Sequence, residues 1–148
     1  MGHATTRRKE IDVARVREAV EAAERLTSAE IVVSISPFFV GRVWSAARRA
    51  FARLGVARTR ARNGVLVFVV PSRRQVAVMA DDGVVARLDP ASWRDATARI
   101  AAAFASGHGT AGLVDEIGRL ARVLAGPFPY HPADINELPD QLHLEHRS

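Results

Sequence analysis

The stretch "GVLVFVV", residues 64–70, limits the fold more than any other part of the chain. Every position after the glycine is apolar, and β-branched residues dominate. An apolar run of this length with no polar alternation reads as a strand covered on both faces. Only "PSRR" separates it from a second strand-like run, "QVAVMA", at 75–80. A connection that short cannot carry a crossover, so the two runs predict an antiparallel hairpin. A sheet with such a central strand needs a covering layer on each side.

The rest of the chain supplies those layers. "EIVVSIS", 30–36, reads as a further strand, stopped by Pro37. Val13, Val16, Val20, Ala23 and Leu26 recur at helical spacing over 11–26. Val40, Val43, Trp44, Ala47, Phe51 and Leu54 form a second stripe over 40–54, with Gly55 as its C-cap. "DPASW" starts a third helix at 89–93, carrying Trp93, Ala96, Ile100, Ala103 and Phe104. Thr110 caps a fourth, with Leu113, Ile117, Leu120 and Leu124 inward. Trp44 and Trp93, both on apolar stripes, read as core residues.

The order helix, strand, helix, strand, strand, helix, helix makes the first two strands parallel, since a helix links them. The predicted fold is an α/β/α sandwich around a small mixed sheet, two parallel strands plus an antiparallel hairpin strand. At 148 residues the chain holds one domain of this kind. Its expected organisation is a flexible basic arm at 1–10, the α/β domain at 11–126 and an extended, proline-containing tail at 127–148. The tail docks through Phe128, Tyr130 and Leu138.

This order brings distant residues together. Parallel strands one and two start at the same end of the sheet, and strand three, running back, finishes there. Glu30, Asn63, Asp81 and Asp82 therefore converge at one end. Carboxylates and an amide oxygen suit a hard divalent cation, Ca²⁺ or Mg²⁺. Another reading stands beside this one. "DDG" at 81–83 is also an ordinary turn, with Gly83 at positive φ, and Glu30 can pair with an arginine such as Arg62. A second acidic-histidine cluster, His143, Glu145 and His146 in "HLEH", is a transition-metal candidate that reads better as solvated tail.

Charge is distributed unevenly. No acidic residue lies between Glu30 and Asp81, whereas arginines stand at 42, 48, 49, 53, 58, 60, 62, 73 and 74. The basic helix at 40–54 is a candidate surface for an anionic ligand, a membrane or a protein partner. Nucleic acid ranks last, because no recognised reading motif is present. The chain has no cysteine, which excludes disulfides and thiolate chemistry. It also lacks a Walker loop, an HExxH pair and a GxSxG elbow. No apolar run reaches the roughly 20 residues that span a bilayer, and the N-terminus has no signal-peptide apolar stretch, so the cytoplasm is the expected compartment.

"AEIVVSIS", "TRARNGVLVFVV", "VAVMADDGVV" with Trp93 behind it, "GTAGLVDEIGRLARVLAGPFP" and "NELPD" together resemble a TPM domain over about residues 11–140. Asp81 and Gly83 match that family's strand-end aspartate and glycine, Asn63 and Gly64 the start of its central strand, and Glu30 its first strand. The resemblance implies an α/β/α fold, a divalent-cation site in loops at one sheet edge and, for plant lumenal members, a proposed phosphatase activity. Ala80 stands where many relatives carry glycine, and this chain is without the membrane anchor of many bacterial members. The expected function is a divalent-cation-binding adaptor or regulatory module. The alternative is a metal-dependent phosphomonoester hydrolase with Asp81 as metal ligand and Arg62 stabilising phosphoryl charge; an arginine-rich nucleic-acid-binding protein comes third.

Overall fold

A computed structural model describes residues 11–132, 138 and 141–145. The arm at 1–10 lies outside the described residues. Helix α1 (Val13–Glu24) leads into strand β1 (Glu30–Ile35), helix α2 (Val43–Arg53) and strand β2 (Gly64–Val70). The hairpin strand β3 (Gln75–Ala80) runs into a one-turn helix α3 (Asp82–Val85). Helices α4 (Ala91–Ala105) and α5 (Gly109–Leu124) follow, and a short strand β4 (Leu142–Leu144) comes last. The sheet order is β3-β2-β1-β4. β1 and β2 are parallel, and β2 and β3 antiparallel.

The expected layering is present, and alternation along each strand explains it. Ile31, Val33, Val65, Val67, Val69, Val76 and Val78 face one side and pack under α1, α4 and α5. Val32, Leu66, Phe68, Val70 and Ala77 face the other, under α2. β2 is buried at all of its positions, as its unbroken apolar run requires. The termini of α1 and α5 are stitched together: Asp12 caps α1 by accepting from the Arg15 amide at 3.3 Å, while its own amide donates to Thr110 Oγ1 at 2.9 Å. Thr110 thus serves the neighbouring helix rather than capping its own.

Two features depart from expectation. The first is β4. The tail contributes a fourth strand, parallel to β1, with Val33, Ser34 and Ile35 opposite Leu142, His143 and Leu144. Just beyond it, the Glu145 carboxylate accepts hydrogen bonds from Ser34 Oγ and from Arg53 at the end of α2. Glu145 is therefore engaged in an ion pair, and His146 lies outside the described residues. Phe128 and Leu138 are buried as expected, but Tyr130 is exposed.

The second departure is Trp44, which is 49 % exposed rather than core. Val43, Ala47, Phe51 and Leu54 of the stripe read over 40–54 do pack on the core, but Trp44 does not, and Val40 precedes the helix, which begins only at Val43. Its buried face is Ala46, Ala47 and Ala50, small residues that let the helix sit close to the sheet. Trp44 instead borders a groove with Met79 and Ala80 of edge strand β3 and with Trp93. Trp93 is buried, as expected.

An ion triad around the buried Glu116 locks α4 to α5. Glu116 accepts from Arg99 Nε at 2.7 Å and Nη2 at 3.0 Å, and from Arg119 Nε at 2.6 Å. Arg119 also donates to the Ser92 carbonyl at 2.8 Å. Burial by itself pushes the Glu116 carboxyl up, but the hydrogen bonds from Arg99 and Arg119 outweigh it and hold the group below the usual glutamate value. A carboxyl lowered in the folded state stabilises the fold above its unfolded pKa, and that contribution is lost as pH falls through the folded value. Glu116→Gln is expected to reduce unfolding free energy by roughly 1.5–3 kcal/mol at neutral pH. In urea melts, the gap between variant and wild type should close as the pH drops below the reference value of 4.5.

Candidate functional site

Register places the predicted residues. Glu30 pairs with Gly64, and Val65 pairs with Ala80, so Glu30, Gly64 and Asp81 form a row across β1, β2 and the end of β3. Two backbone bonds close the row: Glu30 N–H donates to the Asn63 carbonyl at 3.3 Å, and Asp81 N–H to the Gly64 carbonyl at 2.9 Å. All four candidates, Glu30, Asn63, Asp81 and Asp82, thus occupy one end of the sheet. Their side chains do not form one cluster. Among the described residues no group of three or more histidine, aspartate or glutamate side chains gathers within reach of one ion.

The row itself explains the separation. Glu30 and Asp81 flank β2, and two strand spacings put their backbones roughly 9–10 Å apart. The gap above Gly64 is filled by Val56, from the 3₁₀ turn Val56–Arg58. A Cβ on Gly64 would lie 2.5 Å from the Val56 carbonyl oxygen and 2.6 Å from its Cγ1. Val56 therefore stands between the two carboxylates.

On one side of this wall, Asp81 is held by Arg62. Nε donates to Oδ2 at 2.7 Å and Nη2 to Oδ1 at 2.9 Å, a two-pronged pair. Asp82 Oδ2 lies 3.8 Å from the same guanidinium. The hydrogen bond to Asp81, and then its charge, raises the Arg62 pKa above its ordinary value. Asp81 is buried and Asp82 exposed, while the Arg62 side chain is 49 % exposed. Arg62 adopts a left-handed backbone, φ 51°, unusual for a residue with a side chain. The arginine expected to pair with Glu30 pairs with Asp81 instead.

The "DDG" stretch is a helix start rather than a turn with glycine at positive φ. Asp81 is the N-cap of α3, its Oδ1 accepting from the Asp82 amide at 2.8 Å. Gly83 is needed for close approach. Its amide donates to the Arg62 carbonyl at 2.8 Å, and an added Cβ would meet the Ala61 carbonyl oxygen at 2.1 Å. Gly83 thereby presses the 61–62 backbone against the aspartates and delivers the Arg62 side chain to them.

On the other side of Val56, buried Glu30 accepts from Gln141 Nε2 at 3.1 Å. Sequence reasoning missed Gln141. It lies 111 residues from Glu30, and no spacing or motif in the tail points to the contact. The Gln141 carbonyl also accepts from Val33 N–H at 2.7 Å, so β4 pairing is what brings it in. Asn63 sits at the base of the same end, 4 % exposed. Its amide hydrogen bonds to Thr59 Oγ1 at 3.0 Å, and its Nδ2 donates to the Ser28 carbonyl at 3.3 Å. That donation fixes the side-chain amide and leaves Oδ1 buried with no partner among the described residues; Gln141 Oε1 is in the same position. Two side-chain amide oxygens at this end are thus without a donor among the described residues, while Asp81 and Glu30 have theirs.

Gly83→Ala should destabilise the protein by about 1–3 kcal/mol through overpacking. It should also push the 61–62 backbone outward. The Arg62 Nε–H, shielded by Asp81 in the wild type, is then expected to exchange faster with solvent in amide-type NMR exchange measurements.

Comparison with known proteins agrees with this architecture. A family model described as the TPM domain matches residues 9–123. Among solved structures, the chain is similar to the BA42 protein of the psychrophilic bacterium Bizionia argentinensis, at 30 % identity and a TM-score of 0.80, covering 93 % of each chain. None of the curated proteins matches the sequence. In the described residues no helix is long and apolar enough to cross a membrane. With the family model spanning most of its length and the sheet built as that fold requires, the chain belongs to the TPM domain family.

Proposed function

We propose that this protein is a divalent-cation-binding TPM module that acts as an adaptor or regulatory domain, and that Asp81 and Asp82 take up Ca²⁺ or Mg²⁺ in exchange for Arg62. One observation carries this reading: Asp81 already presents both oxygens to a cationic group, and that group is half in solvent. Asp82 approaches the same guanidinium. The donor set suits a hard cation, because the carboxylates of Asp81 and Asp82 both approach the one guanidinium that an ion would replace. In this reading Glu30, screened by Val56, supports the site from behind together with Gln141. When bound, the ion would supply two positive charges to the cap of α3 in place of the Arg62 guanidinium.

Exchange has a consequence for the chain's own residues. Arg62 is released to the surface, so cation binding alters the charge presented at this end of the molecule. The adaptor reading is preferred to phosphomonoester hydrolysis because the residues gathered at this end are ligand types, without a distinct general acid or base beside them in the sequence.

Titration with Ca²⁺ and Mg²⁺, followed by backbone NMR, tests the exchange. Saturable shifts are expected at residues 62–63 and 81–83. Arg62→Ala removes the competing cation and should tighten binding by roughly tenfold, equivalent to about 1.4 kcal/mol. Asp81→Asn should abolish the shifts. If Arg62→Ala leaves affinity unchanged or weakens it, the exchange is wrong. Turnover of p-nitrophenyl phosphate that depends on Mg²⁺ and disappears in Asp81→Asn would replace the adaptor by a hydrolase.

A further inference from the structure

The opposite end of the sheet has the reverse chemistry. There β1 finishes at Ile35, β2 at Val70, and β3 begins at Gln75. The loop 36–42 and the turn 71–74 meet at this end. Ser72 Oγ donates to the Pro37 carbonyl at 3.0 Å, and the Arg73 guanidinium stacks over the Phe39 ring at 5.0 Å. Phe39 is buried, and it anchors a loop whose other apolar side chains point outward: Val40 is 71 % exposed and Phe38 41 %. Gly41, at φ 80°, turns the chain at the tip, and Arg49 Nη2 braces it by donating to the Val40 carbonyl at 3.0 Å. Arg42, Arg49, Arg73 and Arg74 are all exposed around this tip. Arg53 does not add to that charge, because Glu145 neutralises it.

We propose that this end of the molecule docks on an anionic lipid bilayer, with Val40 and Phe38 entering the headgroup region and the surrounding arginines pairing with lipid phosphates. Two features favour a bilayer over a soluble polyanion. Among the described residues the most exposed large apolar side chain, Val40, is at the tip of the loop, in the middle of the arginines, where an interface accepts both groups at once. The segment that builds this end, 31–80, carries no acidic residue, and Glu145, which the tail brings in, is paired with Arg53, so the remaining arginines complement a negative membrane surface. The loop is braced by Arg49, Ser72 and Arg73, so docking requires little ordering of the chain. β2 separates the two ends by roughly 20 Å, which holds the Asp81 site away from the surface when this end is docked. The inference rests on the basic end alone and is independent of the cation site.

Vesicle co-sedimentation tests it, using the full chain and phosphatidylcholine vesicles with and without phosphatidylglycerol. Binding is expected only when phosphatidylglycerol is present, and should weaken as salt rises. Val40→Asp and the pair Arg42→Glu with Arg74→Glu should each lower vesicle affinity about tenfold or more, with circular dichroism unchanged. A Val40→Trp probe should be quenched by brominated lipid, beyond the response of Trp44 and Trp93 in the unmodified chain. Absence of vesicle binding overturns the proposal. So does vesicle binding that Val40→Asp leaves intact, or equal affinity for heparin with no quenching of the probe; both outcomes identify a charge-only surface for soluble polyanions.

Discussion

Burial of β2 on both faces is the constraint on which the rest of this structure depends. Seven residues without a polar side chain cannot stand at an edge or face water, so strands must flank them and helices must cover both sides. β3 is supplied by a tight hairpin and β1 by a helical crossover. Once β2 is central, its first residue lies between the start of β1 and the end of β3. The meeting of Glu30, Asn63 and Asp81 at one end is therefore a by-product of core formation. So is their separation, because β2 lies between the outer two. Gly64 then admits Val56 into the space above the strand, and the packing that builds the core also divides the acids.

Two arginine–carboxylate groups in the molecule show how the number of partners changes the meaning of the same chemistry. Glu116 is grasped by two arginines within the α4–α5 seam, and one of them is tied further to a backbone carbonyl. Its role is to hold the two helices together. Asp81 is bound by one arginine whose side chain is half in solvent and whose backbone is left-handed. A competing cation would have a single guanidinium to displace there, which is what the proposed exchange requires. The difference is the number of partners, because the two carboxylates are equally buried and Arg99 is nearly as exposed as Arg62.

The molecule is polarised along its strands. Acceptor oxygens collect where β1 and β2 begin, and arginines with exposed apolar side chains collect where they finish. Residues 31–80 contain both strands of the hairpin and no acid, so the acid that pairs with Arg53, Glu145, comes from elsewhere in the chain. It is supplied by the tail. By pairing with β1, β4 carries Glu145 to Arg53 and Gln141 to Glu30, so a three-residue strand acts on both ends of the sheet.

Local sequence determined the elements and their order. Apolar period separates strands from helices, "PSRR" makes the hairpin, and a helix between β1 and β2 makes them parallel. Those facts are enough to put Glu30, Asn63, Asp81 and Asp82 at one end, because strand direction follows from connection length. They are not enough to say which side chains meet. Tertiary structure decided that Arg62 faces Asp81, since a left-handed residue and the close approach of Gly83 aim it there. It also decided that Trp44 overhangs the edge of the sheet, since the rotation of α2 follows its small alanine face rather than its largest apolar residue. And it decided that Leu142–Leu144 form a strand, since a segment that short is stabilised only by the open edge of β1 and by the anchor of Glu145 on Ser34 and Arg53. Spacing along the chain carries the first kind of information. The second kind depends on three-dimensional fit between segments as much as 111 residues apart, which no local pattern records.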